Sequence, residues 1–532
     1  MNRNAIILAA GKSNTFAPFT YEKPKGLFKV RGDVLIERQI EQLREAGIKK
    51  IYIVVGYMKE KFFYLEKKYN VHLLINNKFN LKGNLYSLYM AREYLNNSFI
   101  CCADHYFPQN IFIDDNKNNC SYRLCSFQNG KFSEFAVKCS DANIITRVEV
   151  GGENSLAMVG PAYMNDSFSS RFRQLMEKEI DDFGVSNLFW EEFYAKHIEE
   201  LSFYKRECNL LDSLEFETID DLRKFDSEFL LNVDSEIIQN ICGVLHCNAN
   251  SINNISVINA GLTNVSFSFE VDGKKYVYRH PGGTADKLID RKSEYIAQKL
   301  ARKYGIDKSV IHLDLSGWKL SYYVENAKNC SFEKDSLQLE TAMKYLRTLH
   351  SAEKNSEMKV FDNVLEGKKL IYIASATKGH LEKEFAEIIQ KVERLYEYIK
   401  MDAVKLGYSL VICHNDTYEP NFLYDASGQI FLIDWEYAGL NYAANDLGSI
   451  LCRYDWSKEQ INRYIRAFLG HAPSFEEKRF HYAFIPISGF YWFCWGLYKG
   501  SVGDDDSFFF LPSYRNIVRF IDDAIESYQE KE

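Results

Sequence analysis

The segment Val411–Gly439, VICHNDTYEPNFLYDASGQIFLIDWEYAG, constrains the fold of this chain more than any other part of its sequence. It places His414, Asp416 and Asn421 in the order H-x-D-x-x-x-x-N, and a short apolar run then leads to Asp434. A polar turn followed by a hairpin would explain the glycine and the Asx residues, but not this order of histidine, aspartates and asparagine. The pattern predicts a loop and a short strand that bring two carboxylates and an amide together.

Phosphoryl transfer needs side chains of these types. A carboxylate beside the attacking hydroxyl accepts or orients its proton, while an amide and a second carboxylate hold Mg²⁺ against the phosphates. The spacing of Asp416 and Asn421 is that of a kinase catalytic loop. We therefore expect Asp416 to be catalytic and Asn421 and Asp434 to bind Mg²⁺. His414 is expected to hold the loop rather than to act as a base.

Length and composition indicate a soluble chain of two to four domains, because 532 residues exceed one domain. The net charge of −8 and the lack of a long basic run argue against a nucleic-acid partner. The 12 cysteines form no C-x-x-C pair, which predicts free thiols in a reducing cytoplasm. No apolar stretch reaches the ~20 residues that span a bilayer. We expect a cytoplasmic protein without a membrane partner, and a homo-oligomer is compatible with the sequence.

Residues 1–228 are predicted to form an α/β domain. The apolar run Asn4–Ala10 leads into a small-residue loop that contains Gly11 and Lys12, and further strands are predicted at Ile51–Val55, Val71–Ile75 and Phe99–Cys102. Strands that alternate with helices predict a mostly parallel, Rossmann-like sheet. Ligands of such sheets bind beyond the C-terminal strand ends. We therefore expect Gly11 and Lys12 to contact a nucleotide, and Asp104 to bind its metal.

The segment LAAGKSNTFAPFTYEKPKGL, residues 8–27, resembles the signature of sugar-phosphate and phosphocholine nucleotidyltransferases. The resemblance covers about the first 225 residues and implies nucleotidyl transfer from CTP. It places Lys25 on the lysine that contacts the substrate phosphate, where we expect a catalytic role. It also places Asp104 on the magnesium aspartate, and Asn84 in the segment that reads the nucleotide or substrate.

Two positions depart from that family's pattern. Thr15 stands where the family has an arginine that faces the triphosphate, and the second metal carboxylate, usually Asp, is best matched by Glu217. Loss of a charge-assisted contact costs roughly 1.5–3 kcal/mol. If the contact is made only in the transition state, the rate falls on the order of 10- to 100-fold. The domain is thus either an active transferase or one retained for binding.

Aromatic residues suit a phosphocholine acceptor, because a quaternary ammonium is held well over aromatic faces. The phosphocholine branch of the resembling family keeps a cage in segments that here contain Phe135, Tyr163, Phe189 and Trp190. We expect these four residues to contact the substrate. Phe135 and Met164 stand where that branch more often has Trp.

A second domain is predicted from residue 235 to residue 532, with an N-lobe to about 328 and a C-lobe from about 332. From about Asn259 to Lys499 it resembles choline and ethanolamine kinases and the related aminoglycoside phosphotransferases. The resemblance implies a two-lobed, protein-kinase-like fold that uses ATP and Mg²⁺.

Roles for individual residues follow from this second resemblance. The loop that covers the phosphates would contain Gly261, Thr263 and Asn264. Arg279 would pair with the phosphates, and Glu294 on the helix Asp290–Tyr304 would orient it through an ion pair. Asp446 would tie the catalytic loop in place.

The stretch Phe484–Tyr498 is expected to form the acceptor pocket. It contains seven aromatic residues, where the chain's 15% aromatic content predicts about two. Some of the seven must be core, but three fall on roughly one helical face: Trp492, Trp495 and Tyr498. In the choline kinases that this segment resembles, aromatics cage the trimethylammonium, and Glu419 and Glu436 would add negative charge nearby. This face favours choline over the amines of aminoglycoside kinases.

Together the two halves predict a bifunctional enzyme. The C-terminal half would phosphorylate choline with ATP, and the N-terminal half would transfer CMP from CTP to phosphocholine, giving CDP-choline. One alternative is a choline or ethanolamine kinase whose N-terminal domain only binds, and a second is an antibiotic phosphotransferase. The sequence does not distinguish choline from ethanolamine, or CTP from other nucleotides.

Overall fold

The structure is a computed structural model that describes residues 3–113, 120–258, 264–282, 288–503 and 507–529. It divides into two compact units, Met1–Asn253 and Asn254–Glu532. None of the described helices is long and apolar enough to cross a membrane.

A seven-stranded sheet organises the first unit. The strands of this unit are β1 (Asn4–Ala9), β2 (Lys29–Val30), β3 (Asp33–Val34), β4 (Lys50–Val55), β5 (His72–Ile75), β6 (Ser98–Cys102), β7 (His105–Tyr106), β8 (Tyr122–Cys139), β9 (Ile145–Met164), β10 (Tyr204–Glu207) and β11 (Leu214–Glu215). The sheet order is β10-β8-β9-β6-β1-β4-β5. Strands β6, β1, β4 and β5 are parallel, which confirms the predicted Rossmann-like arrangement. The antiparallel hairpin β8–β9, which the sequence analysis did not identify, extends it.

The first unit also contains α-helices, several of which cover the two faces of this sheet. They are α1 (Leu35–Glu45), α2 (Tyr64–Tyr69), α3 (Asn84–Met90), α4 (Asp166–Glu179), α5 (Phe183–Ser186), α6 (Trp190–Lys196), α7 (Ile219–Phe225), α8 (Phe229–Asn232) and α9 (Glu236–Leu245). Alternate residues of β1 point to opposite faces. Ile6 therefore joins one apolar core and Ile7 the other.

The sheet order brings the predicted site residues to one edge. Because β1 lies between β6 and β4, the C-terminal ends of β1 and β6 are neighbours, with Leu8 opposite Cys102. The loop after β1 and Asp104 after β6 therefore meet at the switch point where ligands of such sheets bind. Strand β8 runs parallel to β6, because both pair antiparallel with β9. Tyr122 at the start of β8 and Phe99 near the start of β6 both pair with Tyr163 of β9, so the two strands start at the same level. Strand β8 is much longer than β6, and its C-terminal half therefore extends beyond this edge of the sheet.

The joint between the predicted domains is helical, as the sequence indicates. Ser235 caps α9 by accepting a hydrogen bond from the Ile238 N–H. The Ser235 hydroxyl also donates to Glu22, and the Ile237 N–H donates to the same carboxylate at 3.0 Å. These bonds connect α9, which opens the predicted second domain, to Glu22 within the same compact unit. The domain boundary that the sequence predicts between residues 228 and 235 stays a prediction.

The second unit begins with a five-stranded antiparallel sheet. Its strands are β12 (Asn253–Ile258), β13 (Val265–Val271), β14 (Lys274–His280), β15 (Val310–Leu313) and β16 (Lys319–Tyr322), in the order β12-β13-β14-β16-β15. Helix α10 (Arg291–Lys303) follows β14 and is capped by the Asp290 side chain. The helix predicted over Asp290–Tyr304 is thereby confirmed.

The rest of the second unit is mainly helical. Its helices are α11 (Ser336–His350), α12 (Asn363–Lys378), α13 (Leu381–Glu384), α14 (Ala386–Leu406), α15 (Ala444–Leu451), α16 (Lys458–Leu469), α17 (Phe475–Ser501) and α18 (Ser507–Gln529). Short strands between α14 and α15, with one before α11, carry the catalytic segment: β17 (Lys328–Asn329), β18 (Val411–Cys413), β19 (Phe422–Tyr424), β20 (Ile430–Leu432) and β21 (Gly439–Asn441).

One predicted helix is broken. The pattern over Leu381–Leu406 predicts one helix, but the structure has two, α13 and α14, which meet at Phe385. The Phe385 ring packs edge-on against Phe493 at a centroid distance of 4.9 Å. This tertiary contact is not visible in the local apolar spacing.

Candidate active sites

Lys25 and Asp104 form an ion pair at the edge where β1 and β6 end. The Lys25 Nζ lies 3.0 Å from Asp104 Oδ2 and donates to the Phe216 carbonyl at 2.6 Å. Lys25 is 5% exposed, so its charge is almost enclosed by protein. Burial alone would raise the pKa of Asp104, but the charges of Lys25 and His105 outweigh it and lower that pKa below its ordinary value. The Asp104 carboxylate is therefore ionised and held in place.

His105 and Glu215 complete this cluster, and the sequence analysis missed both. His105 Nε2 lies 3.2 Å from Glu215 Oε2, and its Nδ1 lies 3.9 Å from Asp104 Oδ1. The two residues face each other because β7 pairs with β11. Burial would lower the pKa of His105, but Glu215 and Asp104 raise it above its ordinary value. His105 thus lies between two carboxylates that favour its protonated form.

The predicted metal ligand Glu217 lies two residues beyond Glu215. It is exposed, and its carboxylate accepts a hydrogen bond from Ser133 Oγ at 3.3 Å. Side chains two residues apart on a strand share a side, so the E-x-E pattern over residues 215–217 was the available signal for Glu215. The structure joins Glu215, through His105, to Asp104.

The donor atoms at this edge fit a hard divalent cation. Ligand atoms of Cys102, Asp104 and His105 lie within 4.8 Å of one another. Burial and the nearby carboxylates raise the pKa of the Cys102 thiol well above its ordinary value, so the sulfur stays protonated and is a poor ligand. Asp104 supplies carboxylate oxygens, which are ligands that Mg²⁺ prefers, and the Glu215 carboxylate lies on the other side of His105.

The loop Gly11–Thr15 follows β1 and is largely exposed, as a phosphate-binding loop must be. Ser13 adopts the left-handed conformation, with φ of 49°. Thr15 is exposed, so a longer side chain would meet no steric barrier there. Asn84 opens α3, and its Oδ1 accepts a hydrogen bond from the Trp190 N–H at 2.8 Å. Asn84 thus fixes the start of α6 as well as facing this edge of the sheet.

The structure brings only part of the predicted aromatic cage together. The Phe135 and Phe189 rings meet edge-on at a centroid distance of 6.3 Å, and Phe189 is 52% exposed. Trp190 is buried, and the Arg123 guanidinium lies 5.2 Å from its ring. Tyr163 lies in the core on the opposite face of the sheet, beside Phe99. It therefore cannot share a cage with the other three residues.

Asp446 is the centre of the catalytic loop in the second unit. Its fully buried carboxylate accepts hydrogen bonds from the backbone N–H groups of His414 and Asn415 at 3.1 and 2.7 Å. His350 Nε2 lies 2.8 Å from the same carboxylate. The loop-tying function expected of Asp446 rests on these three contacts.

His414 uses both ring nitrogens to hold the loop. Its Nδ1 accepts a hydrogen bond from the Asp416 N–H at 3.3 Å, so Nε2 carries the proton and donates to the Ile433 carbonyl at 2.9 Å. Burial lowers the pKa of His414, which keeps the ring neutral. The side chain links the loop to the strand that ends at Asp434.

Asp416 and Asn421 are in direct contact. Asn421 Nδ2 donates to the Asp416 carbonyl at 2.8 Å and to Asp416 Oδ2 at 3.2 Å. Its own Oδ1 is then the atom available to a metal, together with the carboxylate of Asp434. Burial raises the pKa of Asp416 to about 7, although Arg453 opposes this shift. A carboxylate of this pKa is suited to accept a proton near neutral pH.

Arg279 connects the two lobes at the phosphate site. It forms a buried ion pair with Glu294, and its Nη1 lies 3.7 Å from Asp434 Oδ1. Among the described residues, its buried Nε and Nη1 have no hydrogen-bond partner. These donors are available to an anion beside the predicted metal ligand. Gly261 and Thr263 lie outside the described residues.

Lys319 is a second cation at this site, and the sequence analysis missed it. Strand pairing places it opposite Arg279. Burial and the charge of Arg279 lower the pKa of Lys319, while Asp307 and Asp434 act in the opposite direction. Nothing in the local pattern of β16 distinguishes this lysine from an exposed strand residue.

Replacing Lys319 with methionine is expected to raise the KM for ATP roughly 10-fold or more, because a charge-assisted contact to phosphate contributes about 1.5–3 kcal/mol. Steady-state kinetics at saturating acceptor would measure the effect. Lys328→Met, at an exposed lysine of β17, is the matched control. An unchanged KM for ATP would exclude Lys319 from the phosphate site.

Three other predicted residues are held by polar contacts. Asn264 donates to Glu436, and both side chains are buried. The Glu419 carboxylate accepts a hydrogen bond from the Phe332 N–H at 2.7 Å. Burial raises the pKa of Glu419. The carboxylates of Glu436 and Glu419 thus have polar partners within the protein.

The aromatic face of α17 is buried beneath the catalytic loop. Trp492, Trp495 and Tyr498 are 6%, 4% and 7% exposed. The ring centroids of Trp492 and Trp495 are 5.9 Å apart, and those of Trp492 and Tyr437 are 5.3 Å apart. Trp495 Nε1 donates to the Tyr437 hydroxyl at 3.0 Å. Trp492 and Trp495 thus adjoin the catalytic segment through Tyr437, and the acceptor pocket expected on this helix stays a prediction.

Comparison with known proteins agrees with both halves of this geometry. Residues 5–121 match the family model described as a MobA-like NTP transferase domain, and residues 255–479 match the one described as choline/ethanolamine kinase. Fold and site thus define a nucleotidyltransferase joined to a phosphotransferase. Both families use nucleotide substrates, generally with a divalent metal.

Curated proteins show which members of these families the chain is similar to. The chain is 32% identical to the choline-phosphate cytidylyltransferase of Streptococcus pneumoniae, over 43% of this chain and 98% of that protein. It is also 32% identical to the 2-aminoethylphosphonate cytidylyltransferase of Lancefieldella rimae, over 43% and 93% respectively. Over 46% of the chain it is 27% identical to protein LicA of Haemophilus influenzae, of which it covers 92%. The chain belongs to this family of cytidylyltransferases and carries a choline/ethanolamine kinase domain fused behind it. Both predicted resemblances are confirmed.

Proposed function

We propose that this enzyme phosphorylates choline with ATP and then transfers CMP from CTP to phosphocholine, giving CDP-choline. The kinase half rests on one observation above all: Asp416, Asn421, Asp434, Arg279 and Glu294 meet in a single site. The product of this step is the acceptor that the choline-phosphate cytidylyltransferase relative uses, by its name.

In the kinase step, Asp416 accepts the proton of the acceptor hydroxyl. The hydroxyl oxygen then attacks the γ-phosphate of ATP, and ADP leaves. Arg279, oriented by Glu294, neutralises the phosphate oxygens, and Lys319 adds a second positive charge. Asn421 and Asp434 would hold Mg²⁺, which supplies charge neutralisation at the phosphates when bound. His414 and Asp446 keep these side chains in register.

In the nucleotidyl step, Lys25 binds the phosphate of the acceptor and sets it against the nucleotide. Asp104 would hold Mg²⁺ near the triphosphate, with Glu217 as the second metal carboxylate that the sequence predicts. The backbone of the Gly11–Thr15 loop faces the phosphates, and Lys12 adds the cation that Thr15 does not supply. The partly buried Phe135 and the exposed Phe189 offer the acceptor an aromatic surface.

A substrate panel tests the proposal by measuring ADP release and pyrophosphate release separately. Choline, ethanolamine and a kanamycin-type amine are offered with ATP. Phosphocholine, phosphoethanolamine and 2-aminoethylphosphonate are offered with CTP. ADP release with choline and pyrophosphate release with phosphocholine are expected. Turnover of kanamycin alone would favour an antibiotic phosphotransferase, and ADP release without pyrophosphate release would indicate a binding-only N-terminal domain.

Restoring an arginine at Thr15 is expected to raise nucleotidyl transfer by roughly 10-fold, because the forked guanidinium would face the triphosphate that Lys12 meets as a point charge. The exposed position accommodates the longer side chain. Pyrophosphate release from CTP and phosphocholine is the measurement, and Asn14→Arg on the same exposed loop is the control. No gain would show that Lys12 already compensates.

A further inference from the structure

Arg453 lies on the aromatic face where the proposed function places the acceptor's cation. Its guanidinium carbon is 4.0 Å from the centroid of the Trp492 ring and 4.3 Å from that of Tyr418. Its Nη2 lies 2.5 Å from Asp416 Oδ1. One side chain therefore contacts both the aromatic residue expected to hold the acceptor and the carboxylate expected to take its proton.

Because it is buried, Arg453 prevents a second cation from binding over the same aromatic ring. The Arg453 side chain is 10% exposed and the Asp416 side chain 11% exposed, so both charges are largely shielded from solvent. An aromatic face that already carries a guanidinium cannot hold a second cation there, because two positive charges about 4 Å apart repel strongly in a partly buried site. An acceptor ammonium can stack on Trp492 only after Arg453 has left it.

The position of Arg453 allows such a movement. It lies in the turn that follows α15, outside regular secondary structure. Among the described residues, its buried Nε has no hydrogen-bond partner, and its ion pair with Asp416 is monodentate. Structural arginines are usually anchored by several donors in a fork. Arg453 instead has one strong contact and two aromatic faces.

Resting on the proposed function, we propose that Arg453 occupies the acceptor's cation site as an internal stand-in. It positions Asp416 while the site contains no acceptor, and a cationic acceptor binds by displacing its guanidinium from Trp492. The acceptor's ammonium then takes the place of the guanidinium over the aromatic ring, and Asp416 exchanges its arginine partner for the acceptor hydroxyl.

Binding and kinetics of Arg453→Gln test this proposal. The probes are tetramethylammonium and choline, and quenching of tryptophan fluorescence measures their binding without any reaction. We expect both to bind Arg453→Gln roughly 10-fold more tightly than the unaltered enzyme, since one competing cation–π contact is removed. The KM for choline should fall by a similar factor, while the KM for ATP stays within about 2-fold.

Arg453→Lys and Arg394→Gln are the companions to this variant. Lysine keeps the competing charge and should leave choline affinity near that of the unaltered enzyme. Arg394 lies on the exposed side of α14 with its guanidinium 5.8 Å from Tyr398, and so controls for the loss of a stacked arginine elsewhere. Retained ATP binding shows that each variant is folded.

Unchanged or weaker binding of tetramethylammonium by folded Arg453→Gln would overturn the proposal. Tighter binding of an acceptor with a carboxylate or phosphonate to the unaltered enzyme than to the variant would also overturn it. Arg453 would then bind the substrate directly. Failure of the proposed function gives a different result: tetramethylammonium binding increases in Arg453→Gln, but neither choline nor ethanolamine releases ADP from any form.

Discussion

Asp416→Asn is expected to lower choline phosphorylation by 10²- to 10⁴-fold while leaving nucleotidyl transfer unchanged. The carboxylate that accepts the hydroxyl proton is lost, and general-base assistance contributes an effect of this size. Asparagine is nearly isosteric, and its amide oxygen keeps the contact with Asn421 Nδ2, while the contact with Arg453 is lost. The loss should therefore fall on kcat with little change in the KM for ATP.

ADP release with choline and pyrophosphate release with phosphocholine, measured on the same preparation, check this result. Asp425→Asn is the matched control, because Asp425 lies in the exposed turn between β19 and β20 and bonds only to that turn. Loss of both activities in Asp416→Asn would refute two independent sites. Retention of most ADP release would mean that Asp416 orients the hydroxyl without taking its proton.

Lys25→Met is expected to lower nucleotidyl transfer by 10²- to 10³-fold and to spare the kinase. Removal of one positioned donor at a site of developing charge has effects of this size. Methionine keeps the length of the side chain but leaves the Phe216 carbonyl and the Asp104 carboxylate without their lysine. The pKa of Asp104 should rise as a result, because Lys25 is the largest influence that lowers it.

Lys29→Met, at an exposed lysine of β2, controls for the loss of one positive charge in the same unit. Pyrophosphate release with saturating CTP and phosphocholine is the measurement, and thermal unfolding confirms that the unit still folds. Activity close to that of the unaltered enzyme would remove Lys25 from the site. It would also favour a phosphate contact through the exposed Lys12.

The parts of each site that lie within one short segment were predictable from the sequence. Asp416, Asn421 and Asp434 belong to one loop and hairpin, and their spacing alone identifies them. The central parallel strands were equally clear, because their β-branched runs are bounded by glycine or polar residues.

Residues that reach a site through tertiary structure were not predictable. Arg453 lies beyond the helix that carries Asp446 and belongs to no motif of its own, and Lys319 is one lysine on a strand of ordinary composition. Glu215 becomes significant only when β11 pairs with β7. Tyr163 was wrongly placed in the aromatic cage. Alternate residues of β9 point to opposite faces of the sheet, and Tyr163 points to the face opposite Trp190. Strand register decides such cases, and a one-residue shift reverses them.

Asp446 has a consequence for how the kinase site can change over evolution. It fixes the backbone of His414 and Asn415 from behind, through bonds formed on folding and independent of any substrate. The entropy of ordering this loop is therefore lost once, during folding, and does not weaken the binding of each new ligand. Side chains on the acceptor side of the site can then vary while the backbone that carries Asp416 stays in place. A scaffold of this kind lets acceptor preference diverge while the phosphate chemistry is conserved.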